Sequence, residues 1–290
     1  MAGLSEPPAL GTPMLPPDTF AGKVVVVTGG GTGLGKAIGT EFARLGATVV
    51  VASRDPEHRE KGVKAMNEAG GKGFGIAVDV RDPEAIKSAF DEIEKNCGPI
   101  DVLVNNAAGN FPVLAEKMSP NAWRSVTDIV LDGTFFCSTE LARRCIESGR
   151  EASILNIGAT YSWTGGPGTA HSAAAKAGVT NMTMSLAVEW APHGIRVNCL
   201  APGLFPHDDL PSVLRDKKNR SEEQDARRVP AGRVGRPHEL GWVATYMCSP
   251  FASYLSGHTI VLDGANWLRR GLRMPDFVPV AEQMTIKQAD

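Results

Sequence analysis

The apolar run Lys23–Val27 feeds directly into Thr28-Gly29-Gly30-Gly31-Thr32-Gly33-Leu34-Gly35, and this junction restricts the fold more than any other segment. A short run of valines with no polar alternation fits a strand covered on both faces. Glycines follow, where a chain must turn tightly and let its backbone approach a ligand. Leu34–Leu45 then carries helical spacing. A strand, a glycine-rich turn and a helix in that order collect free N–H groups and the positive end of the helix dipole at one point, which suits a phosphate. A glycine pattern by itself is also an ordinary turn. With the strand before it and the helix after it, nucleotide binding through Gly29, Gly31, Thr32, Gly33, Leu34 and Gly35 is the favoured reading.

The alternation continues along the chain. Thr48–Ala52 is strand-like, and Asp55-Pro56-Glu57 then sets an N-cap, a proline at the first helical position and an acidic first turn. Asp82-Pro83-Glu84 repeats that signal. Val102–Asn105, Ser153–Ile157, Ile195–Leu200 and Thr259–Leu262 are further unbroken apolar runs. Strands alternating with helices predict an α/β fold, a single-domain doubly wound parallel sheet. We expect a flexible N-terminal arm over residues 1–17, one domain over 18–267 and a tail over 268–290. The polar, charged stretch Leu204–Arg236 lies where a substrate lid would.

Bulk properties narrow the function. A net charge of −2 lacks the basic excess that a nucleic-acid partner requires. No apolar run reaches the roughly 20 residues of a membrane span. The five cysteines, Cys97, Cys137, Cys145, Cys199 and Cys248, are scattered and odd in number. They show no metal-ligand spacing, so we expect buried reduced thiols, a reducing compartment and no metal site. Met1–Pro17 has no signal-type apolar region and no arginine, and Lys287-Gln288-Ala289-Asp290 is not a peroxisomal address. The expected location is cytoplasmic, or the mitochondrial matrix if a presequence has been removed.

Ser53-Arg54 bears on cofactor choice. Dinucleotide sites that bind NAD place an acidic residue at the end of the second strand, whereas an arginine there suits a 2′-phosphate. Asp55 follows and either offsets that charge or caps the next helix. The expected cofactor is NADP(H).

The glycine turn and Asn105-Asn106-Ala107-Ala108-Gly109 resemble the short-chain dehydrogenase/reductase family, whose scaffold is Rossmann-like. The segment that carries the usual chemistry of that family is altered. Most members have Tyr four residues before a lysine; here Ser172 precedes Lys176. They have Ser thirteen residues before that Tyr, and here it is Ala159; they have Asn two residues after a central Asp, and here Val130 follows Asp128. Only Lys176 remains. Ala108-Gly109-Asn110-Phe111, Ser119-Pro120-Asn121-Ala122-Trp123, Thr127–Leu131 and the Tyr161…Ser172…Lys176 spacing resemble 2,4-dienoyl-CoA reductases, the mitochondrial type most of all. Known peroxisomal members lack a Tyr at the position of Tyr161. The likeness runs from about Met14 to Trp267.

That resemblance implies NADPH-dependent reduction of a conjugated dienoyl thioester to a 3-enoyl thioester in auxiliary fatty-acid β-oxidation. Hydride adds at C5, charge spreads to the thioester oxygen, and the enzyme stabilises an enolate, so the missing proton donor is not needed. Tyr161 and Asn110 match the two donors aimed at that oxygen. Lys176 matches the residue that grips the nicotinamide ribose, and Ser172 a hydrogen-bonding helper. Asp79, at the end of the third strand, matches an adenine contact; Pro202, Gly203, Leu204 and Phe205 match cofactor contacts. Arg81, Phe111 and Ser119 match substrate contacts. The family further implies a homotetramer acting on an acyl-CoA.

Each residue also has a structural reading. Tyr161 would be an amphipathic residue at a sheet edge, Asn110 a turn former, and Asp79 or Ser172 a helix cap. His171 and His193 read as surface or cap residues, and Trp123 and Trp190 as packing. The basic run Arg215–Arg220 reads as a solvated loop or a site for CoA phosphates. Two other functions stay open: another enoyl-thioester or carbonyl reductase, and a non-catalytic nucleotide-binding protein.

Overall fold

A computed structural model describes residues 4–207, 221–269 and 278–289. Seven parallel strands form one sheet in the order β3-β2-β1-β4-β5-β6-β7. They are β1 Val24–Thr28, β2 Thr48–Ala52, β3 Lys72–Ile76, β4 Ile100–Asn105, β5 Ala152–Ile157, β6 Ile195–Pro202 and β7 Thr259–Leu262. The connecting helices are α1 Gly33–Arg44, α2 Pro56–Glu68, α3 Pro83–Cys97, α4 Pro120–Thr127, α5 Gly133–Ser148, α6 Tyr161–Thr164, α7 Ala170–Trp190, α8 Glu222–Ala226, α9 Pro237–Cys248 and α10 Val280–Ala289. Asp55 and Asp82 cap α2 and α3, each accepting two first-turn N–H groups. The expected α/β doubly wound parallel sheet is thus the observed fold.

The valines of β1 are wholly buried because each side of the sheet has its own helical layer. Val24 and Val26 face a core closed by Ile86 and Phe90 of α3, Leu141 of α5 and Leu186 of α7. Val25 and Val27 face the opposite core, closed by Ile38 and Phe42 of α1, Met66 of α2 and Leu240 of α9. Burying one such side chain contributes about 1.5–3 kcal/mol. Strands covered on both faces lose the alternation of a half-exposed sheet, which is why their sequences read as unbroken apolar runs.

Three expectations change. The third strand ends at Ile76, so Asp79 lies beyond it in the loop that leads to α3. The arm expected to be flexible is tied to the body from residue 4 onward. The Leu4 amide donates to the Ala231 carbonyl at 2.6 Å, Arg233 donates to the Ser5 carbonyl at 2.9 Å, and Arg236 pairs with Glu6 at 3.0 Å. Cys97 is half-buried, while the other four cysteines are buried free thiols. Of the stretch read as a lid, 208–220 lie outside the described residues, and the basic run 215–220 with them. Within its described part, Arg236 links α8 to the arm through Glu222, at 2.8 Å, and Glu6. No described helix is long and apolar enough to cross a membrane.

Candidate active site

Strand order reverses between β1 and β4, and the loops leaving β1, β4, β5 and β6 gather at the same carboxyl edge. This is where open parallel sheets bind ligands. After β1 the chain turns through Gly29 at φ 65° and Gly33 at φ 53°, a backbone region that side chains rarely adopt. Gly35 is required for a different reason: a Cβ there would lie 2.4 Å from the Asn106 side-chain nitrogen. That nitrogen donates to the carbonyls of Thr28 and Gly29 at 3.0 and 3.2 Å, so the β4 loop clamps the glycine turn. A cradle with no room for side chains, at the N-terminus of a 12-residue helix, fits a dinucleotide diphosphate.

Beyond β2 and β3 lies a charged cluster. The Arg81 guanidinium forks onto Asp79 at 2.9 and 2.5 Å, and Arg54 approaches the same carboxylate at 3.6 Å. The hydrogen bonds from Arg81 hold the Asp79 carboxyl down at about 2. Two guanidiniums on one carboxylate leave net positive charge. Asp79 caps no helix, because Asp82 does so; Arg81, expected at the substrate, is bonded to Asp79. Ser119, also expected at the substrate, is exposed and caps α4 through the Ala122 amide at 3.1 Å.

The β5 side is dry. Tyr161 begins α6, and its hydroxyl lies 3.0 Å from Ser172 Oγ on α7. Burial pushes the phenol pKa up, with Ser172 pulling it partly back, so it stays a neutral hydrogen-bond donor. Ser172 caps nothing; it is fully buried in the first turn of α7. One turn on, Lys176 is buried and donates from Nζ to the Ile157 carbonyl. Burial lowers its ammonium to about 8. Ala159 and Val130, where the common family pattern has Ser and Asn, are buried and apolar. Val130 lies within a π-helical turn, Asp128–Asp132, that joins α4 to α5. Phe111 packs with Val126, Val130, Ala175 and Val179, and Asn110 Oδ1 beside it is buried with no partner among the described residues. Leu204 and Phe205 follow β6, and Phe205 is buried against Gly235.

Sequence reasoning missed two features here. His171, expected at the surface or as a cap, is fully buried, and its ring stands edge-on to Phe111 with centroids 4.8 Å apart. Behind the site, Asn105 donates to Ser138 and Asn156, and Asn156 donates to Thr183, each at 2.9 Å. This buried chain ties β4 and β5 to α5 and α7. Trp190 packs in the core, whereas Trp123 and His193 are exposed. Among the described residues no His, Cys, Asp and Glu cluster could hold a metal ion.

Residues 29–265 match the family model described as enoyl-(acyl carrier protein) reductase. A Bacillus subtilis protein named "Probable 2,4-dienoyl-CoA reductase, (2E)-enoyl-CoA-producing" is 44% identical over 85% of this chain and 97% of its own. The rat "Peroxisomal 2,4-dienoyl-CoA reductase, (3E)-enoyl-CoA-producing" is 39% identical over 87% of this chain and 86% of its own. The crystal structure of a short-chain dehydrogenase from Bacillus anthracis is 41% identical and superposes with a TM-score of 0.78, covering 86% of this chain and 98% of that one. The glycine cradle, the strand order and these likenesses agree: the chain belongs to the short-chain dehydrogenase/reductase family, as an oxidoreductase that uses a nicotinamide cofactor.

Proposed function

We propose that the protein is an NADPH-dependent 2,4-dienoyl-CoA reductase. The observation that carries this reading is the Tyr161–Ser172 pair at 3.0 Å, one helical turn before Lys176 on α7, in a site whose usual carbonyl-reductase positions hold Ala159 and Val130. Such a site keeps a neutral phenol as a donor, while the serine and asparagine of the usual carbonyl-reductase pattern are gone. The names of the relatives support the same substrate class.

Gly29, Gly31, Thr32, Gly33, Leu34 and Gly35 would hold the diphosphate, Lys176 the nicotinamide ribose, and Pro202, Gly203, Leu204 and Phe205 the nicotinamide side. Arg54 would take the 2′-phosphate, helped by the net positive charge of its cluster with Asp79 and Arg81. A bound nicotinamide supplies the hydride. Everything else falls to the protein. Phe111 borders the acyl chain, and Tyr161 and Asn110 direct donors at the thioester oxygen as charge moves onto it. Each donor contributes roughly 2–4 kcal/mol in the transition state. Ser172 fixes the phenol. The α-carbon is protonated from water, giving the 3-enoyl thioester.

The test is NADPH consumption with a 2,4-dienoyl-CoA beside a monoenoyl-CoA and a ketone, followed by isolation of the product. Turnover confined to the dienoyl thioester, with a 3-enoyl product, is expected. A 2-enoyl product, as in the name of the Bacillus relative, would move the proton to C4. Preference for the monoenoyl-CoA or the ketone would replace the reading.

A further inference from the structure

Asn110 Oδ1 and His171 Nε2 are both buried without a hydrogen-bond partner among the described residues. Both border Phe111: Asn110 as its chain neighbour, His171 through the ring contact at 4.8 Å with an interplanar angle of 89°. His171 is 0% exposed. Its Nδ1 accepts the Ser172 amide at 2.8 Å, one of the first-turn N–H groups that a helix cannot bond internally. That bond settles the tautomer. A nitrogen that accepts carries no proton, so the ring holds its N–H on Nε2. His171 therefore presents a donor without an acceptor, and Asn110 an acceptor without a donor. Leaving both unpaired is costly, since a buried polar group forfeits its water.

We infer that His171 is a positioning residue for Asn110: once either side chain shifts into hydrogen-bond reach as substrate binds, its Nε2–H donates to Asn110 Oδ1. The bond gives the amide a direction. With Oδ1 occupied, the Asn110 N–H groups point toward the developing oxyanion. A flipped amide would set its own oxygen against that charge. The inference rests on the proposed role of Asn110 as a donor to the thioester, and the experiment separates the two.

His171→Phe keeps an aromatic ring against Phe111 and removes the donor; His171→Gln restores an N–H near Nε2. Under single-turnover conditions with NADPH and a 2,4-dienoyl-CoA, His171→Phe should slow reduction about tenfold, the worth of one ordinary hydrogen bond, with little change in substrate Kd. His171→Gln should recover most of the rate. In an Asn110→Ala background, His171→Phe should have no further effect. His171→Phe at the wild-type rate, or equally harmful without Asn110, overturns the inference. A second readout needs no turnover: the imidazole ¹⁵N resonances of wild type should report Nε2–H, and Asn110→Ala should shift the Nε2 signal. An Nε2 signal blind to Asn110→Ala also overturns it. Wild type inert toward dienoyl-CoA, with that signal still responsive, would sink the function and leave the pair standing.

Discussion

The two ends of the candidate cleft solve the same problem, holding charge in place, by opposite means. Beyond β2 and β3 the groups are wet: the side chains of Arg54, Arg81 and Asp79 are 58%, 41% and 28% exposed. Behind β5 they are dry: Lys176 is 7% exposed, Ser172 1% and His171 0%. Exposed charges act through a field that water and salt weaken. Buried donors act at hydrogen-bond range, where the dielectric is low and each orientation is fixed. Substitutions at the dry end should therefore cost more and respond less to salt.

The largest effect is expected at Lys176. Lys176→Met should lower kcat/KM by about 10²–10³-fold, the range for losing one preorganised donor in a dry site. Burial holds the ammonium of the free enzyme near 8, so cofactor affinity should fall as pH rises through that value, and Lys176→Arg should flatten the fall. Stability moves the other way. The folded value lies below the ordinary lysine value of roughly 10.4, so charging Lys176 costs stability below pH 8, and the cost fades as pH climbs through that window. Lys176→Met should raise thermal stability at pH 7 by on the order of 3 kcal/mol and give almost no gain near pH 10.5. A gain that persisted there would show that Lys176 is not strained by burial.

Next comes Tyr161→Phe, which deletes only a hydroxyl. It should lower kcat about 10²-fold and leave substrate Kd nearly unchanged, because in the proposed reaction the thioester oxygen gains its charge in the transition state. Ser172→Ala should cost less, near tenfold, since it loosens the phenol without removing it. If both variants matched wild type in single-turnover reduction, the dry end would be structural only.

Asn156→Ala probes the dry end without touching reacting groups. It takes one buried partner each from Asn105 and Thr183, which keep their bonds to Ser138 and to the Val179 carbonyl, and a lost buried partner costs about 1–3 kcal/mol. Urea denaturation should show that loss in the midpoint with an unchanged slope. The smallest effect should come from the wet end. Arg54→Asp should weaken NADPH binding about tenfold while sparing NADH, and the difference should shrink in high salt. Equal use of both cofactors by wild type would remove the assignment of Arg54.

What the sequence disclosed follows the same division between local and distant causes. Asp55 and Asp82 were legible as caps because the groups they satisfy lie two and three residues on. The valine run and glycine turn were legible because each residue type fits only a few backbone shapes. Lys72-Gly73-Phe74-Gly75-Ile76 gave no such signal; two glycines weaken its propensity, and it is a strand because β2 pairs with it in register. The spacing of Tyr161 and Ser172 was visible through the family likeness, but their hydrogen bond depends on α6 folding back over α7. His171 read as a surface or cap residue because nothing nearby buries it; Phe111, sixty residues earlier, does. The arm read as flexible because its partners, Arg233 and Arg236, lie at the other end of the chain.

The clamp between Asn106 and the glycine turn sets an order of events during synthesis. The two ends of that bond are 77 residues apart, and β1 cannot pair with β4 until residues 100–105 have formed. Contacts this distant in sequence close slowly and late, and chains emerge N-terminus first. A nascent chain that has not reached Asn106 has its phosphate loop held only from the β2 side, through the Gly29 amide on the Ala52 carbonyl. The cradle is complete only when β4 slots in beside β1, so finishing the phosphate loop and closing the sheet's centre are one step in the life of the chain.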